Sequence, residues 1–493
     1  MSQVKRFFPV LVALVLLATV AAQCGAPATV IVTKEVVKEV VVTKEVEVEK
    51  EVIVTQEVEV VVEKEVIKEV EKEVIVTATP EPAKEPVQLT FYLFGPTPER
   101  RAAIDAALAI WHAQHPDIQV EIIFEGWMDG REKALKEVAA GNPRNGVLNF
   151  GSWTGEFVQM GVLEPLDDYV AAWEDNDRIP DAFWDTVSMD GHIYGMPHYS
   201  TATVMYWNKD LFEAAGLDPE KPPTTYAELR EYAEKLAVDT DGDGAIDQWG
   251  VGVQPGFSII QNFEWVAFSF CEDAYFFKLD ADGNHVAAFV DEDGKPLPCV
   301  VEGAQYFADL FIDGLMPPDV LTGEWYGART AFAAGRVAVV LDFSLNNKFF
   351  SEQPDLNLGV ALLPEGPARL YTWVSPYDTV FFKGAPHMDE AIEFAKFLGV
   401  GPGAKVNSTV AGFLPIDQDL LDERAAEGDE AIAVFAESFA RGTPQCFAPE
   451  CGPIYDSWPP VIQSMMLGEI TAEEAMQQMA DLIQATMDEM YGQ

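Results

Sequence analysis

The sequence predicts an α/β protein whose body consists of two lobes. The first 86 residues lack the pattern of a globular domain, whereas residues 87–493 are too many for one compact core and suit two large lobes. Hydrophobic residues make up 48 % of the chain and include eleven Trp, which fits a large core with aromatic-lined surfaces. The body begins with the order strand, helix, strand, which is typical of an α/β lobe.

Residues 1–24 have the pattern of an export signal. Lys5 and Arg6 precede an apolar run over 7–22 that is too short and wrongly flanked for a spanning helix. The segment 20–25 resembles a bacterial lipoprotein signal peptide, in which Cys24 becomes the lipidated first residue. This resemblance implies an exported protein that acyl chains anchor to the lipid bilayer at the outer face of the cell membrane. An uncleaved or differently cut anchor is the alternative.

Residues 25–86 are expected to form a charged stalk. Val-Thr-Lys-Glu-Val and Lys-Glu-Val units repeat over 29–79, and a Pro-rich linker follows. Valine spacings of four favour a helix and spacings of two favour a strand, so the secondary structure stays open. The stalk would reach about 90 Å if helical and about 200 Å if extended. A spacer that holds the body off a membrane is the simplest interpretation, with a self-associating coiled coil as the alternative.

The body starts with a predicted βαβ unit. Val87 to Leu93 favours a strand, a helix follows through Ile104, Leu108 and Trp111, and a second strand runs from Ile118 to about Phe124. Residues 143–147 leave the position of the next strand uncertain.

The stretch 194–236 predicts a buried strand followed by two helices. Ser200 to Trp207 is β-branched and aromatic, as in a buried strand. A short helix and a Pro-rich turn follow, and Thr225 with Glu228 forms a capping box at the start of an amphipathic helix.

Residues 206–212 (YWNKDLF), 215–217 (AGL) and 222–229 resemble the crossing segment of family 1 extracellular solute-binding proteins, the sugar-binding receptors of ABC importers. Further segments resemble the family in the same order: 115–116, 141–143, 161–166, 301–314, 332–338, 363–366, 391–398, 412–415 and 468–487. The resemblance implies a two-lobe periplasmic-binding-protein-like fold of type II, with a hinge near Ser200 and a ligand cleft between the lobes. It assigns 87–200 and about 372–415 to lobe 1, and 201–371 and about 416–493 to lobe 2. It also implies a binding protein, not an enzyme, which delivers a sugar or oligosaccharide to an ABC permease.

The net charge of −49 limits the ligand classes. Such a surface repels nucleic acid and anionic lipid headgroups, so we expect no nucleic-acid partner. Anionic ligands are disfavoured for the same reason.

An acidic loop predicts a structural Ca²⁺ site. Residues 239–247 (DTDGDGAID) place carboxylates at alternate positions with a Gly that permits a sharp turn, as the oxygen-rich shell of Ca²⁺ requires. The expected ligands are Asp239, Asp241, Asp243, Asp247 and the carbonyl of Ala245. The twelfth position is Gly250 instead of Glu, so a bidentate carboxylate would have to come from elsewhere. An acidic surface turn is the alternative.

Four further cysteines in an exported chain predict two disulfides. The local pairing, Cys271 with Cys299 and Cys446 with Cys451, is expected among three connectivities. The six His are scattered without an HExxH motif, and neither a CxxC nor a GxSxG motif occurs, so zinc and serine-nucleophile chemistry have no support.

A sugar offers apolar C–H faces and rings of hydroxyls, so its receptor needs aromatic plates beside carboxylates or amides. Aromatics with polar neighbours, expected in loops, give the candidates Phe94, Glu125, Trp127, Ser152, Trp153, Glu264, Trp265, Trp373, Tyr377, Asp378 and Trp458. The family resemblance supports several of these and adds Thr201 and Asp342. It departs at Leu345, where the family often has a stacking Trp. Trp111, Trp207 and Trp249 are expected in the core.

Three other functions are alternatives to the capture of a sugar. Trp beside Asp or Glu also suits a cationic solute such as a polyamine. A secreted glycosidase would use paired carboxylates, but in so acidic a chain some pair always lies close. A calcium-dependent adhesin on a repetitive stalk would lack a small-molecule site.

Overall fold

A computed structural model describes residues 86–148, 153–279, 285–323, 327–428, 430–446 and 448–491. The predicted signal peptide with Cys24, the stalk and Ser152 lie outside the described residues. Residues 85–493 form one compact unit. Within the part of the chain that is described, no helix combines the length and the apolar character that crossing a membrane requires.

The described residues form strands and helices in alternation. The strands are β1 Val87–Phe94, β2 Ile118–Glu125, β3 Gly146–Leu148, β4 Ser188–Met189, β5 His192–Ile193, β6 Gly195–Asn208, β7 Trp249–Gly252, β8 Phe277–Leu279, β9 His285–Ala287, β10 Val337–Phe343, β11 Leu358–Leu362, β12 Trp373–Phe381 and β13 Thr443–Pro444. The α-helices are α1 Pro98–Gln114, α2 Trp127–Ala139, α3 Thr154–Gln159, α4 Asp167–Ala171, α5 Asp181–Thr186, α6 Lys209–Ala214, α7 Tyr226–Leu236, α8 Ile259–Ala267, α9 Pro298–Ile312, α10 Gly327–Ala333, α11 Asn347–Ser351, α12 Met388–Gly399, α13 Pro402–Ala411, α14 Gln418–Ala426, α15 Glu430–Ala440, α16 Cys451–Met466 and α17 Ala472–Tyr491. Short 3₁₀ segments are Asn176–Arg178, Gly256–Ser258, Phe268–Phe270, Pro318–Leu321 and Ser344–Asn346.

The predicted βαβ unit is confirmed at the start of the body. β1 and β2 pair in parallel from Val87 opposite Ile118 to Phe94 opposite Glu125, and α1 connects them. The strand that was uncertain in the sequence is β3, which pairs in parallel with the other edge of β1. Parallel strands covered on both faces are apolar throughout, and β1 is accordingly buried from Phe91 to Phe94.

The strand β6 runs through both halves of the sheet, whose order is β2-β1-β3-β12-β6-β10-β7. All fourteen of its residues are buried, and it extends the predicted strand Ser200–Trp207 at both ends. Residues 195–202 pair with β12, whereas 203–207 pair with β10 and 204–208 with β11. One continuous strand therefore links lobe 1, built on β1–β3 and β12, to lobe 2, built on β7, β10 and β11. The lobe limits drawn from the sequence stay predictions.

Helix starts follow the predicted capping chemistry. Thr225 accepts a hydrogen bond from the amide of Glu228 at 3.2 Å and begins α7. At the start of α17, Thr471 and Glu474 exchange hydrogen bonds: Glu474 N donates to the Thr471 hydroxyl at 3.2 Å, and Thr471 N donates to the Glu474 carboxylate at 2.8 Å. Both pairs satisfy backbone amides that the first helical turn leaves free.

Each lobe has its own buried apolar clusters. In lobe 1, Trp111 and Phe394 belong to one cluster and Tyr92 to another. Trp111 and Trp207 are buried, as predicted for core residues, whereas Trp249 is only partly buried at the edge of a lobe 2 cluster.

Candidate functional site

Four of the predicted aromatic candidates meet on the lobe 1 side. Phe94 ends β1, Trp127 begins α2, Trp153 precedes α3, and Tyr377 lies on β12. Ring centroids are 6.4 Å apart for Phe94 and Trp127, 5.7 Å for Trp127 and Trp153, and 6.4 Å for Trp127 and Tyr377. Residues far apart in the sequence thus form one aromatic group, in which Phe94 and Trp153 are buried and Trp127 and Tyr377 are partly buried; we call it the lobe 1 aromatic cluster.

A buried guanidinium lies against this cluster. The Arg100 guanidinium carbon lies 4.8 Å from the ring centroid of Tyr377 and 5.7 Å from that of Trp127. Its Nη1 donates to the carbonyl of Gly95 at 2.6 Å, which fixes the side chain in the first turn of α1. Arg100 therefore adds hydrogen-bond donors and positive charge beside flat rings in an otherwise acidic protein.

The two acidic candidates of lobe 1 have different surroundings. Glu125 ends β2 and forms an ion pair with Lys133. Asp378 is buried on β12, where the Thr154 hydroxyl lies 3.5 Å from its Oδ2. A Cβ at Gly195 would lie 2.3 Å from the same oxygen, so the crossing strand needs glycine there to accommodate Asp378.

Polar side chains of lobe 2 meet a side chain of the crossing strand. Thr201 Oγ1 lies 3.2 Å from the hydroxyl of Ser344 of lobe 2. Nearby on β10, buried Asp342 accepts hydrogen bonds from Gln254 at 2.6 Å and Asn346 at 2.8 Å. Burial raises the pKa of Asp342 to about 6, against the hydrogen bonds that lower it. Asp342 is thus held by protein partners at the end of β10.

The lobe 2 candidates are in the core. Trp265, Trp373 and Trp458 are at most 1 % exposed, and Trp265 packs edge-on against Trp373 with centroids 5.8 Å apart. The expectation that such residues lie in loops is wrong for Glu264 and Trp265, which belong to α8, and for Trp458, which belongs to α16. The reason is that all nine residues of α8 are buried, so its polar residues lie in the protein interior and not in an exposed loop.

Glu264 is a fully buried carboxyl group. Within the described residues, neither of its oxygens has a hydrogen-bond partner. Burial raises its pKa well above the usual range. The pKa values of the Tyr275, Tyr371 and Tyr455 hydroxyls are also raised. Burial is the larger cause, and the charge of the Glu264 carboxyl is the second. Three phenol groups therefore interact electrostatically with this carboxyl group.

An ion pair joins the two lobes at one side. Arg329 on α10 of lobe 2 donates from Nη2 to Glu99 Oε1 on α1 of lobe 1 at 2.8 Å. The guanidinium also donates to Asn346 at 3.2 Å and lies 3.6 Å from the centroid of the Phe349 ring. We call this pair the interlobe ion pair.

Helix α16 of lobe 2 approaches lobe 1 elsewhere. A Cβ at Gly452 would lie 3.4 Å from Trp153 Cδ1 and 3.5 Å from Glu156 Oε2. Further along α16, burial raises the pKa of Asp456, and Arg131 of lobe 1 opposes that shift. The lobes therefore touch at the lobe 1 aromatic cluster as well as at the interlobe ion pair.

The acidic loop brings three of its predicted ligands together. Carboxylate oxygens of Asp239, Asp241 and Asp247 lie within 4.8 Å of one another. Asp243 is outside this group and accepts the amide of Ala245 at 2.8 Å. Hydrogen bonds from backbone amides, first that of Gly244, lower the pKa of Asp239 and keep it ionised.

The same loop shows why its twelfth position differs from a calcium-binding consensus. A Cβ at Gly250 would lie 2.5 Å from the backbone of Ala233 on α7, so a Glu side chain has no room there. Three carboxylates and carbonyl oxygens suit a hard cation, but they do not complete its shell of six to eight oxygens. The Ca²⁺ site stays a prediction.

Both disulfides have the local pairing. Cys271 and Cys299 are bonded with Cα atoms 5.5 Å apart, and Cys446 and Cys451 with Cα atoms 5.7 Å apart. The second bond closes the loop immediately before α16.

Sequence reasoning missed several side chains at the lobe boundary. Arg100, Glu99 and Arg329 lie in helices whose sequences show only ordinary charged residues. Tyr199, which stacks on Tyr377 with centroids 4.8 Å apart, directly precedes the predicted crossing strand. Its aromatic ring beside Ser200 was a usable signal, whereas the interlobe ion pair joins residues 230 positions apart and leaves no local pattern.

Comparisons with known proteins agree with this architecture. The family model described as bacterial extracellular solute-binding protein matches residues 95–400. A binding protein of Brucella abortus is 27 % identical over 311 residues, covering 63 % of this chain and 71 % of that protein. The maltotriose-binding protein of Pyrococcus abyssi is 24 % identical over 353 residues, covering 70 % of each. An ABC transporter solute-binding protein of Thermotoga lettingae, solved with α-D-tagatose, has the same fold, with a TM-score of 0.71 and 22 % identity over 81 % of this chain and all of that one. This chain belongs to the bacterial extracellular solute-binding protein family.

Proposed function

We propose that the protein is the substrate-binding component of an ABC importer, which captures a neutral sugar or oligosaccharide between its lobes and delivers it to a membrane permease. The observation that carries this proposal is the lobe 1 aromatic cluster at the lobe boundary, with Arg100 and Asp378 beside it. Flat rings suit the C–H faces of a sugar, and the guanidinium and carboxylate suit its hydroxyls.

The crossing strand supplies the mechanism of capture. Two lobes joined by β6 can close on a ligand and exclude water from it, which strengthens each hydrogen bond that the ligand makes. No covalent chemistry is needed for this role, and the family consists of binding proteins.

Relatives support the ligand class. The named Pyrococcus relative binds maltotriose and the Thermotoga structure holds α-D-tagatose. At these identities the ligands do not transfer directly, so the sugar that this chain binds has to be measured.

The family is extracellular, so the protein is exported. Lipidation at Cys24 and a stalk over 25–86 would keep the body near the permease at the outer face of the cell membrane. Both features are proposals from the sequence.

Calorimetric titration of the full chain with neutral mono- and oligosaccharides tests the sugar proposal. We expect at least one sugar to bind and to raise the melting temperature through mass action. Trp127→Ala should weaken that binding by about tenfold, because a stacking plate is lost. Trp184→Ala, on α5 in a different cluster, serves as the matched control. Binding of another solute class, with no response to any sugar, would overturn the proposal.

A further inference from the structure

We propose that the sugar captured by this receptor bears a primary amino group, and that Glu264 binds the ammonium group of that sugar. This inference rests on the proposed function, capture of a sugar between the lobes, and departs from it in the charge of one substituent of that sugar. It starts from a candidate site residue that has no hydrogen-bond partner within the described residues.

Glu264 lacks a partner of the kind that buried carboxyls have. It is 0 % exposed, and both of its oxygens are without a hydrogen-bond partner among the described residues. A buried carboxyl group without a hydrogen-bond partner is unfavourable whether or not it is ionised, so buried carboxyls are normally paired. By comparison, buried Asp342 accepts hydrogen bonds from two side-chain amides.

The surroundings of Glu264 suit a cation. Phe268, one helical turn beyond Glu264, packs against Tyr371 with ring centroids 5.7 Å apart. Trp265, the next residue, packs against Trp373 at 5.8 Å, and Trp373 packs against Tyr455 at 6.2 Å. The faces of such rings attract an ammonium group, and a carboxylate among them supplies the counter-charge. The high pKa of Glu264, set by burial, fits a carboxyl group that no protein cation compensates.

Strand β12 connects this group to the crossing strand. Trp265, next to Glu264, packs against Trp373, which begins β12, and the next residue, Val374, pairs with Ala202 of the crossing strand. On the α16 side, a Cβ at Gly452 would lie 3.4 Å from Trp153 of lobe 1, and Tyr455 lies one helical turn further along α16. Glu264 therefore lies beside residues that adjoin the crossing strand.

An ammonium group satisfies this carboxyl better than a hydroxyl does. It carries the compensating charge and three donors, whereas a hydroxyl offers one donor and no charge. Charge-assisted hydrogen bonds contribute about 1.5–3 kcal/mol, which corresponds to a preference of at least about tenfold for the amino sugar over its hydroxyl parent.

Titration of the full chain with matched pairs of sugars tests the inference. The pairs are glucosamine with glucose, galactosamine with galactose, mannosamine with mannose, and the glucosamine disaccharide with cellobiose, each with its N-acetylated form. We expect at least one amino sugar to bind about tenfold or more tightly than its parent. N-acetylation should remove that preference in the unaltered protein, because the amide is neutral.

Glu264→Gln should weaken binding of that amino sugar by about tenfold or more and leave its parent within about threefold. Glu437→Gln, at an exposed ion pair with Arg441, is the control and should change neither affinity. Should Glu264→Gln fail to fold, the N-acetylated ligands still decide the question.

The failures of the two proposals are distinguishable. Neutral sugars that bind as tightly as their amino forms would overturn this inference and leave the proposed function standing. The same holds for an amino-sugar preference that survives in Glu264→Gln. Binding of putrescine with no response to any sugar would overturn both.

Discussion

The interlobe ion pair gives a prediction that follows directly from the geometry. Arg329 and Glu99 belong to different lobes, their side chains are 8 % and 19 % exposed, and a hydrogen bond of 2.8 Å joins them. Removing either partner destabilises the folded protein and leaves the other partner's charge poorly compensated. We therefore expect Arg329→Met and Glu99→Gln each to lower the free energy of unfolding.

The magnitude follows from the partial burial of both groups. Two unit charges 4 Å apart interact by about 4 kcal/mol at an effective dielectric constant of about 20, and desolvation offsets part of this. Because Arg329 also contacts Asn346 and Phe349, the Arg329→Met variant loses those contacts in addition to the ion pair with Glu99. A double-mutant cycle isolates the pair, and we expect a coupling energy of about 1–3 kcal/mol.

Equilibrium urea unfolding of the four proteins measures this coupling, provided that they share one m-value. The Glu132–Lys136 pair on α2 is the control, since its side chains are 66 % and 71 % exposed and its coupling should be close to zero. A coupling for Glu99 and Arg329 no larger than that of the control would refute the reasoning.

Three further predictions concern stability. If the acidic loop binds Ca²⁺, millimolar Ca²⁺ should raise the melting temperature of the wild-type chain and leave that of Asp239→Asn unchanged. Thermal unfolding curves that are the same with Ca²⁺ and with a chelator, for both proteins, would count against the site. Gly250→Ala should lower the free energy of unfolding in urea by about 1–3 kcal/mol, because its Cβ would lie 2.5 Å from Ala233. Gly126→Ala is the control and should change that free energy little, because its Cβ would meet only an oxygen at 3.9 Å. Burial raises the pKa of Asp342 to about 6, so its contribution is present below pH 4 and lost as the pH rises through 6. The free energy of unfolding of wild type should therefore fall by about 2 kcal/mol relative to that of Asp342→Asn between pH 4 and pH 7, and parallel pH profiles would contradict this.

The sequence predicted the elements whose pattern is local. The run Ser200–Trp207 is β-branched and aromatic, which predicts a buried strand. The Thr471 and Glu474 pair predicts the start of a helix. Phe94, Trp127, Trp153 and Tyr377 were predicted one by one, as aromatics with polar neighbours, and the structure brings them together. Their role in ligand binding stays a prediction.

The lobe 2 side could not be predicted in the same way. Helix α8 is buried all round although its sequence carries a polar face, and α16 contains Pro459 and Pro460, which ordinarily argue against a helix. The isolation of Glu264 depends on which side chains the fold brings around it, and no spacing in the sequence encodes that arrangement.

Native mass spectrometry of the full chain, incubated with a mixture of neutral and amino sugars, tests the central claim most directly. The account predicts a single bound carbohydrate per chain, and it predicts that Trp127→Ala reduces the bound fraction. A chain that retains no carbohydrate from the mixture but binds amino acids or peptides would contradict it.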